Sequence, residues 1–204
     1  MSRFLVVEGV DGAGKTTLIE GLRAALTGRG HKVVCTREPG GTPLAEEIRR
    51  LMKSEQGAQL TPEKQLELVH WGRTDHVKRK IAPALEEGSI VLCDRYQLSS
   101  WVYQVAVQPE LEGRFLAMQK ELTELLDGRE SEYLMLDLPA PEVQRRLENS
   151  GKLDHFDVTD LDQIEGRRTA YFNGIRALGS PHYILDATLS PEALLLEALQ
   201  VLGL

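Results

Sequence analysis

Short apolar runs alternate along this chain with longer stretches in which apolar positions recur every three or four residues. The continuous runs predict strands at Phe4–Glu8, Lys32–Thr36, Ser89–Asp94, Glu132–Asp137 and His182–Asp186. The periodic stretches predict helices at Thr16–Gly28, Leu44–Met52, Pro62–Glu87, Glu112–Leu126, Pro141–Asn149, Asp160–Leu178 and Pro191–Leu202. Several of these open on proline or on an Asp or Thr cap, as helix N-termini prefer. Alternation of strand and helix predicts an α/β fold, with a five-stranded parallel sheet and helices on both faces. Ligands of such sheets bind beyond the carboxyl ends of the strands, so the residues that follow each strand carry the functional expectation.

The first strand runs into Gly9-Val10-Asp11-Gly12-Ala13-Gly14-Lys15-Thr16, which fits G-x-x-x-x-G-K-[ST], and Thr17 continues the helix start. Strand, glycine-rich turn and helix together mark a phosphate-binding loop and hence a P-loop NTPase fold. The glycines let the backbone curl until several N–H groups face inward, and the helix N-terminus adds partial positive charge. Lys15 is placed to reach the outer phosphates of a nucleoside triphosphate, and the Thr16 hydroxyl to ligate Mg²⁺.

Strand two ends at Thr36-Arg37-Glu38-Pro39-Gly40-Gly41-Thr42 and strand three at Asp94-Arg95-Tyr96. Asp94 closes an apolar strand and is the expected second partner of the Mg²⁺, directly or through water. The plainer reading of Asp94 is a helix cap or a structural salt bridge. Arg37, Arg95 and, from the middle of a helix, Arg73 converge on the same rim. Each alone would read as a solvated charge. Together they suit a second phosphate, because the planar guanidinium fork matches phosphate oxygens in pairs.

Composition narrows the picture without redirecting it. The chain has 204 residues, which suggests one domain over residues 1–204, with a short lid near 146–160. A formal net charge of −7 argues against a general nucleic-acid binder but leaves room for a local cationic pocket. The two cysteines, Cys35 and Cys93, are too few for a disulfide framework, and no secretory signal precedes them. Reduced thiols and a cytoplasmic setting are expected. No apolar stretch is long enough to span a membrane. The acidic string Asp154, Asp157, Asp160 and Asp162 lacks the glycine and closing glutamate of a calcium loop, and the histidines show no zinc spacing.

From residue 4 to about 188 the chain resembles the thymidylate kinase family. The phosphate loop is shared by many proteins. The run Thr36-Arg37-Glu38-Pro39-Gly40-Gly41-Thr42, and Asp94-Arg95-Tyr96 through Ser99-Ser100 to Tyr103-Gln104, are far more specific. Leu136-Asp137 followed by Pro141-Glu142-Val143 resembles the strand and helix ahead of the family's lid. The resemblance implies transfer of the γ-phosphoryl group of ATP to the deoxynucleoside monophosphate dTMP, giving ADP and dTDP, with Mg²⁺ as cofactor and a homodimer as the assembly. It places Lys15 and Thr16 on the donor phosphates and metal, and Asp11 on the acceptor side or the metal. Arg37 and Arg95 would hold the acceptor phosphate, beside Glu38 and Pro39, and Arg73 would reach the acceptor. Ser100 and Gln104, next to Ser99, would bond the base edge. Tyr103 would pack where a 2′-hydroxyl would sit, favouring deoxyribose. The Asp186-Ala187-Thr188 turn is the candidate for the adenine edge.

Two departures from the family pattern matter. Val69 stands where the family stacks a phenylalanine on thymine, and valine has no π face. His70 and Trp71 are neighbours but point elsewhere on a helix. The lid sequence also lacks the expected arginines, with Ser150 and His155 in their places, while Arg145, Arg146 and Lys152 remain. Arg146 or Lys152 is therefore the candidate cation over the transferring phosphoryl group. These departures keep two alternatives open: a kinase for another deoxypyrimidine monophosphate, such as dUMP or a modified one, or a nucleotide-binding homologue with weak or no kinase activity.

Overall fold

The protein is described from a computed structural model, which covers residues 2–150 and 159–204. The chain begins with β1 (Arg3–Gly9), α1 (Lys15–Gly28), β2 (Val33–Arg37), α2 (Pro43–Met52), the single turn α3 (Glu55–Ala58) and α4 (Pro62–His76). A π-helical segment, Val77–Ile81, joins α4 to α5 (Ala82–Glu86), which leads to β3 (Ile90–Asp94) and the short α6 (Gln97–Ser100). A second π segment, Trp101–Val105, and a 3₁₀ turn, Pro109–Leu111, precede α7 (Glu112–Leu125). The chain closes with β4 (Ser131–Asp137), α8 (Ala140–Ser150), α9 (Leu161–Leu178), β5 (His182–Asp186) and α10 (Pro191–Val201).

The strands form one five-stranded sheet in the order β2-β3-β1-β4-β5, with every pairing parallel. β1 is central, and Phe4, Leu5, Val6 and Val7 along it are all buried, as expected of a strand covered on both faces. The chain leaves β1 toward β2, then returns through β3 and crosses β1 to reach β4 and β5. Right-handed crossovers in opposite directions put the connecting helices on opposite faces. α1 packs on β1, β2 and β3, and α10 lies against α1. The direction reverses between the adjacent strands β1 and β3, which makes the crevice at their carboxyl ends the topological switch point.

Local chemistry explains the helix starts. Thr42, Thr61, Asp160 and Ser190 each accept a hydrogen bond from a first-turn N–H, and α2, α4 and α10 carry proline in that turn. α9 stops at Gly179, which takes a left-handed conformation.

One expected element needs correction. The helix predicted over Pro62–Glu87 is not uniform, because a π segment interrupts it at Val77–Ile81. The apolar spacing around Val77 and Ile81, both fully buried, is satisfied by either winding, so the pattern did not reveal the inserted residue. β2 is also shifted by one residue from Lys32–Thr36, which makes Arg37 its last residue, in register with Asp94.

Candidate active site

The loop after β1 needs its glycines for space as well as curvature. A Cβ on Gly9 would lie 2.7 Å from the carbonyl oxygen of Leu136, so β4 packs too closely for any side chain there. Gly14 sits at the N-cap of α1 with φ 94°, which turns the loop into the helix. Lys15 bends back across this loop, and its Nζ donates to Gly9 O and Val10 O, both at 2.9 Å. The same atom lies 3.8 Å from Asp11 Oδ1. Burial, aided by nearby Arg95, pulls the Lys15 ammonium down to about 8.

Asp11 is the loop's outward carboxylate. Arg95 donates to it through Nη2, and the Tyr103 hydroxyl donates to its other oxygen at 3.1 Å. Burial works to raise this carboxyl, but Arg95, Lys15 and the Tyr103 hydroxyl outweigh it and hold Asp11 well below the usual range. Burial pushes the Tyr103 phenol up to about 12, so it remains a donor.

Arg95 follows β3 and is held in a left-handed backbone conformation, φ 69°. Its Nη1 donates to Tyr171 Oη at 2.7 Å, to Ser99 Oγ at 3.2 Å and to Gly9 O at 3.3 Å. Beneath it, fully buried Glu8 accepts from Tyr96 N at 2.7 Å, Ser99 N at 3.0 Å and Ser99 Oγ at 2.8 Å. Glu8 thereby ties the end of β1 to the start of α6. Neither Glu8, the polar last residue of the first predicted strand, nor Tyr171, distant in the chain, is among the expected site residues.

Arg73 and Glu38 form a buried pair. Arg73 Nε donates to Glu38 Oε2 at 2.5 Å, and its Nη2 donates to Tyr96 O and Ser100 Oγ, each at 3.0 Å. The other Glu38 oxygen faces His76 Nδ1 at 3.0 Å, and His76 Nε2 lies 2.6 Å from the Thr36 hydroxyl. A carboxylate can only accept, so His76 carries a proton on Nδ1, and in the neutral ring its Nε2 accepts a hydrogen bond from the Thr36 hydroxyl. Arg73 Nε and Nη2 thus hold Glu38, Tyr96 and Ser100 together, and the side chain also lines the cleft of the expected acceptor.

Arg37 is more exposed and pairs with Glu46 at 3.2 Å, while Glu46 also accepts from Gly41 N at 3.0 Å. Arg49, which the sequence reading passed over, donates to Pro39 O at 3.0 Å. Its signal was its place on α2, four residues after buried Ala45 and one after buried Ile48.

Asp94 and Thr16 share a cleft of about 420 Å³ with Lys15, Thr17 and Arg37. Asp94 Oδ1 is buried and has no hydrogen-bond partner. A carboxylate oxygen in that position calls for a cation or a donor. Together with the Thr16 hydroxyl it fits a magnesium ion that draws its other ligands from phosphate and water. Among the described residues there is no cluster of three or more His, Cys, Asp or Glu able to hold a metal alone.

A second cleft, of about 170 Å³, is lined by Pro39, Met52, Val69, Ser99, Ser100, Tyr103 and Gln104, with Arg73 and Tyr96 behind. Val69 packs with Ile48 and Met52. Neither neighbour substitutes for an aromatic ring: His70 turns to Glu121, at 3.1 Å, and Trp71 is 62% exposed. The two clefts share Asp11, Glu38, Arg49 and Arg95. Arg146, on α8, lies on the far side of the phosphate loop. It donates to Gly12 O at 3.2 Å, Ala187 O at 2.9 Å and Glu142 Oε1 at 2.8 Å. Lys152 lies outside the described residues.

The sequence model of the thymidylate kinase family matches residues 7–197. A thymidylate kinase of Pseudomonas fluorescens is 37% identical over 90% of this chain and 87% of its own length. One from Ectopseudomonas mendocina is 38% identical over 90% of this chain and 87% of its own, and one from Chlamydia caviae 36% over 90% and 88%. The chain belongs to the thymidylate kinase family.

Proposed function

We propose that this protein transfers the γ-phosphoryl group of ATP to dTMP, giving ADP and dTDP. The carrying observation is that the phosphate-loop cleft and the cleft lined by Ser100, Tyr103 and Gln104 meet at Asp11, Glu38, Arg49 and Arg95. A donor in the first and an acceptor in the second place a phosphate oxygen of dTMP in line with the γ-phosphorus. That oxygen forms the new P–O bond as the bond to the β–γ bridging oxygen breaks, and the leaving oxygen stays on ADP. No covalent enzyme intermediate is required.

Lys15, released from Gly9 O and Val10 O, pairs with the outer donor phosphates. Thr16 and Asp94 would hold a Mg²⁺ ion, which would supply charge neutralisation on the phosphates. Arg95, Arg37 and Arg49 gather the acceptor phosphate, and Asp11 orients Arg95. Gln104 reads the base edge and Tyr103 closes the sugar side. Arg146, already against Gly12 O, and Lys152 are the two candidates for the cation over the transferring group. If Arg146→Ala and Lys152→Ala each leave turnover intact, neither fills that role.

Among the described residues no helix is long and apolar enough to cross a membrane. The two free cysteines support a cytoplasmic setting, and the homodimer rests on the resemblance to the family alone. Val69 favours a second reading of the acceptor, in which dUMP or a modified deoxypyrimidine monophosphate is preferred. ADP release measured with ATP, Mg²⁺ and each deoxynucleoside monophosphate separates these. Release with dTMP supports the first reading, a better pyrimidine substrate supports the second, and ATP binding without release to any acceptor overturns both.

A further inference from the structure

Gln65, on α4, is half-buried between α3 and the second π segment. One end of its amide lies 3.0 Å from the carbonyl oxygen of Gly57. A carbonyl oxygen only accepts, so the amide NH₂ of Gln65 must face it. The Gln65 Oε1 is then turned to Gln104, whose Nε2 donates to it at 3.3 Å. Gln104 is itself 3% exposed and lines the acceptor cleft. The orientation of the Gln104 amide is therefore set by a backbone carbonyl of another helix, relayed through Gln65.

We propose that Gln65 is a positioning residue that locks the Gln104 amide in the orientation matching a thymine or uracil edge and opposing a cytosine edge. The inference rests on the reading of Gln104 as the group that meets the base. With one Nε2 hydrogen given to Gln65, Gln104 offers a ligand its Oε1 and its second Nε2 hydrogen. Thymine and uracil present an N3–H donor beside the O4 acceptor, which is the complement of that pair. Cytosine presents an N3 lone pair beside an N4 amino donor, and would need the Gln104 amide flipped. A flipped Gln104 sets its oxygen against Gln65 Oε1. Rotating Gln65 to relieve this sets Gln65 Oε1 against Gly57 O instead. The flip is opposed at both steps, and buried polar mismatch of this kind discriminates strongly. Thymine and uracil share the edge being read, so Gln65 selects the base class and leaves the 5-substituent to Val69 and its neighbours.

The test uses the full-length protein with ATP and Mg²⁺. kcat and KM are measured for dTMP, dUMP and dCMP in the wild type, Gln65→Leu and Gln65→Glu, with Tm recorded for each. Leucine keeps the bulk and removes both amide bonds. Glutamate keeps an acceptor toward Gln104 through one oxygen, while its other oxygen opposes Gly57 O, so this variant is expected to lose Tm and yet keep the Gln104 orientation. The expected result is a dTMP/dCMP ratio of kcat/KM that narrows by roughly tenfold in Gln65→Leu. The narrowing should appear in KM, leave dTMP/dUMP unchanged, and be largely restored in Gln65→Glu. A purely structural role would lower every acceptor together with Tm and leave the dTMP/dCMP ratio as in the wild type. That result, in an enzyme that phosphorylates dTMP, overturns this inference alone. A wild type that phosphorylates none of the three overturns the functional reading and this inference with it.

Discussion

Arg95 is bonded to Asp11 across the line where the two clefts meet, and both side chains line both clefts. The guanidinium approaches from the end of β3 and the carboxylate from the phosphate loop, so the pair couples the acceptor side to the donor side. Arg95→Ala is expected to lower kcat/KM for dTMP by roughly a hundredfold or more, the range seen when one charge-stabilising donor is lost. ATP affinity should change little. Steady-state kinetics with varied dTMP, beside an ATP titration, separates the two effects. Equal losses on both substrates would place Arg95 on the donor side instead.

Glu38 is the hub of a buried polar network, with Arg73 on one oxygen and His76 on the other. Glu38→Ala strands the Arg73 guanidinium in a site where both side chains are 3% exposed. Removing one partner of a buried pair destabilises by about 3–5 kcal/mol. Urea unfolding of the variant should show a loss of that order, and a loss below about 1 kcal/mol would mean that water reaches Arg73.

Lys15 gives a pH dependence with a defined sign. Burial brings its ammonium to about 8 in the folded protein, against 10.5 for a lysine in water. The cation that pairs with phosphate is present below about pH 8 and is lost above it, so kcat/KM for ATP should be flat below that pH and fall as pH rises through it. The folded state binds fewer protons than the unfolded one between about pH 8 and 10.5, so this group's contribution to stability rises with pH across that window. A kcat/KM for ATP that stays level to pH 10 would show that burial does not lower the Lys15 ammonium in the free enzyme.

Val69 gives the acceptor cleft an aliphatic wall backed by Ile48 and Met52. Val69→Phe should restore a ring face to the base and lower KM for dTMP about two- to tenfold, from a stacking gain of about 0.5–1.5 kcal/mol. The extra volume should destabilise the fold by about 1–3 kcal/mol. KM and Tm measured together check both, and an unchanged KM would show that the base does not lie against residue 69.

Much of the architecture was legible because buried parallel strands read as unbroken apolar runs. Each observed strand lies within one residue of its expected place. The phosphate loop was legible because a Cβ on Gly9 would meet Leu136 O and because Gly14 takes a φ that side chains rarely adopt. Three parts were hidden for identifiable reasons. The π segment at Val77–Ile81 inserts a residue that helical periodicity tolerates, and no helix is predicted over Gln97–Val105, where a second π segment carries Tyr103 and Gln104 to the cleft. Glu8 reads only as the polar end of the first strand, because its partners Tyr96 and Ser99 lie far along the chain. Arg49 and Gln65 act through partners distant in sequence, Pro39 and Gln104, and nothing in their local pattern announces those contacts.

The most direct test of the account is dTDP formation, followed chromatographically, when the protein is mixed with ATP, Mg²⁺ and dTMP. The account predicts stoichiometric dTDP and ADP, dependent on both Mg²⁺ and Lys15. ATP bound at the phosphate loop with no dTDP formed, from a folded protein with Mg²⁺ present, would contradict it.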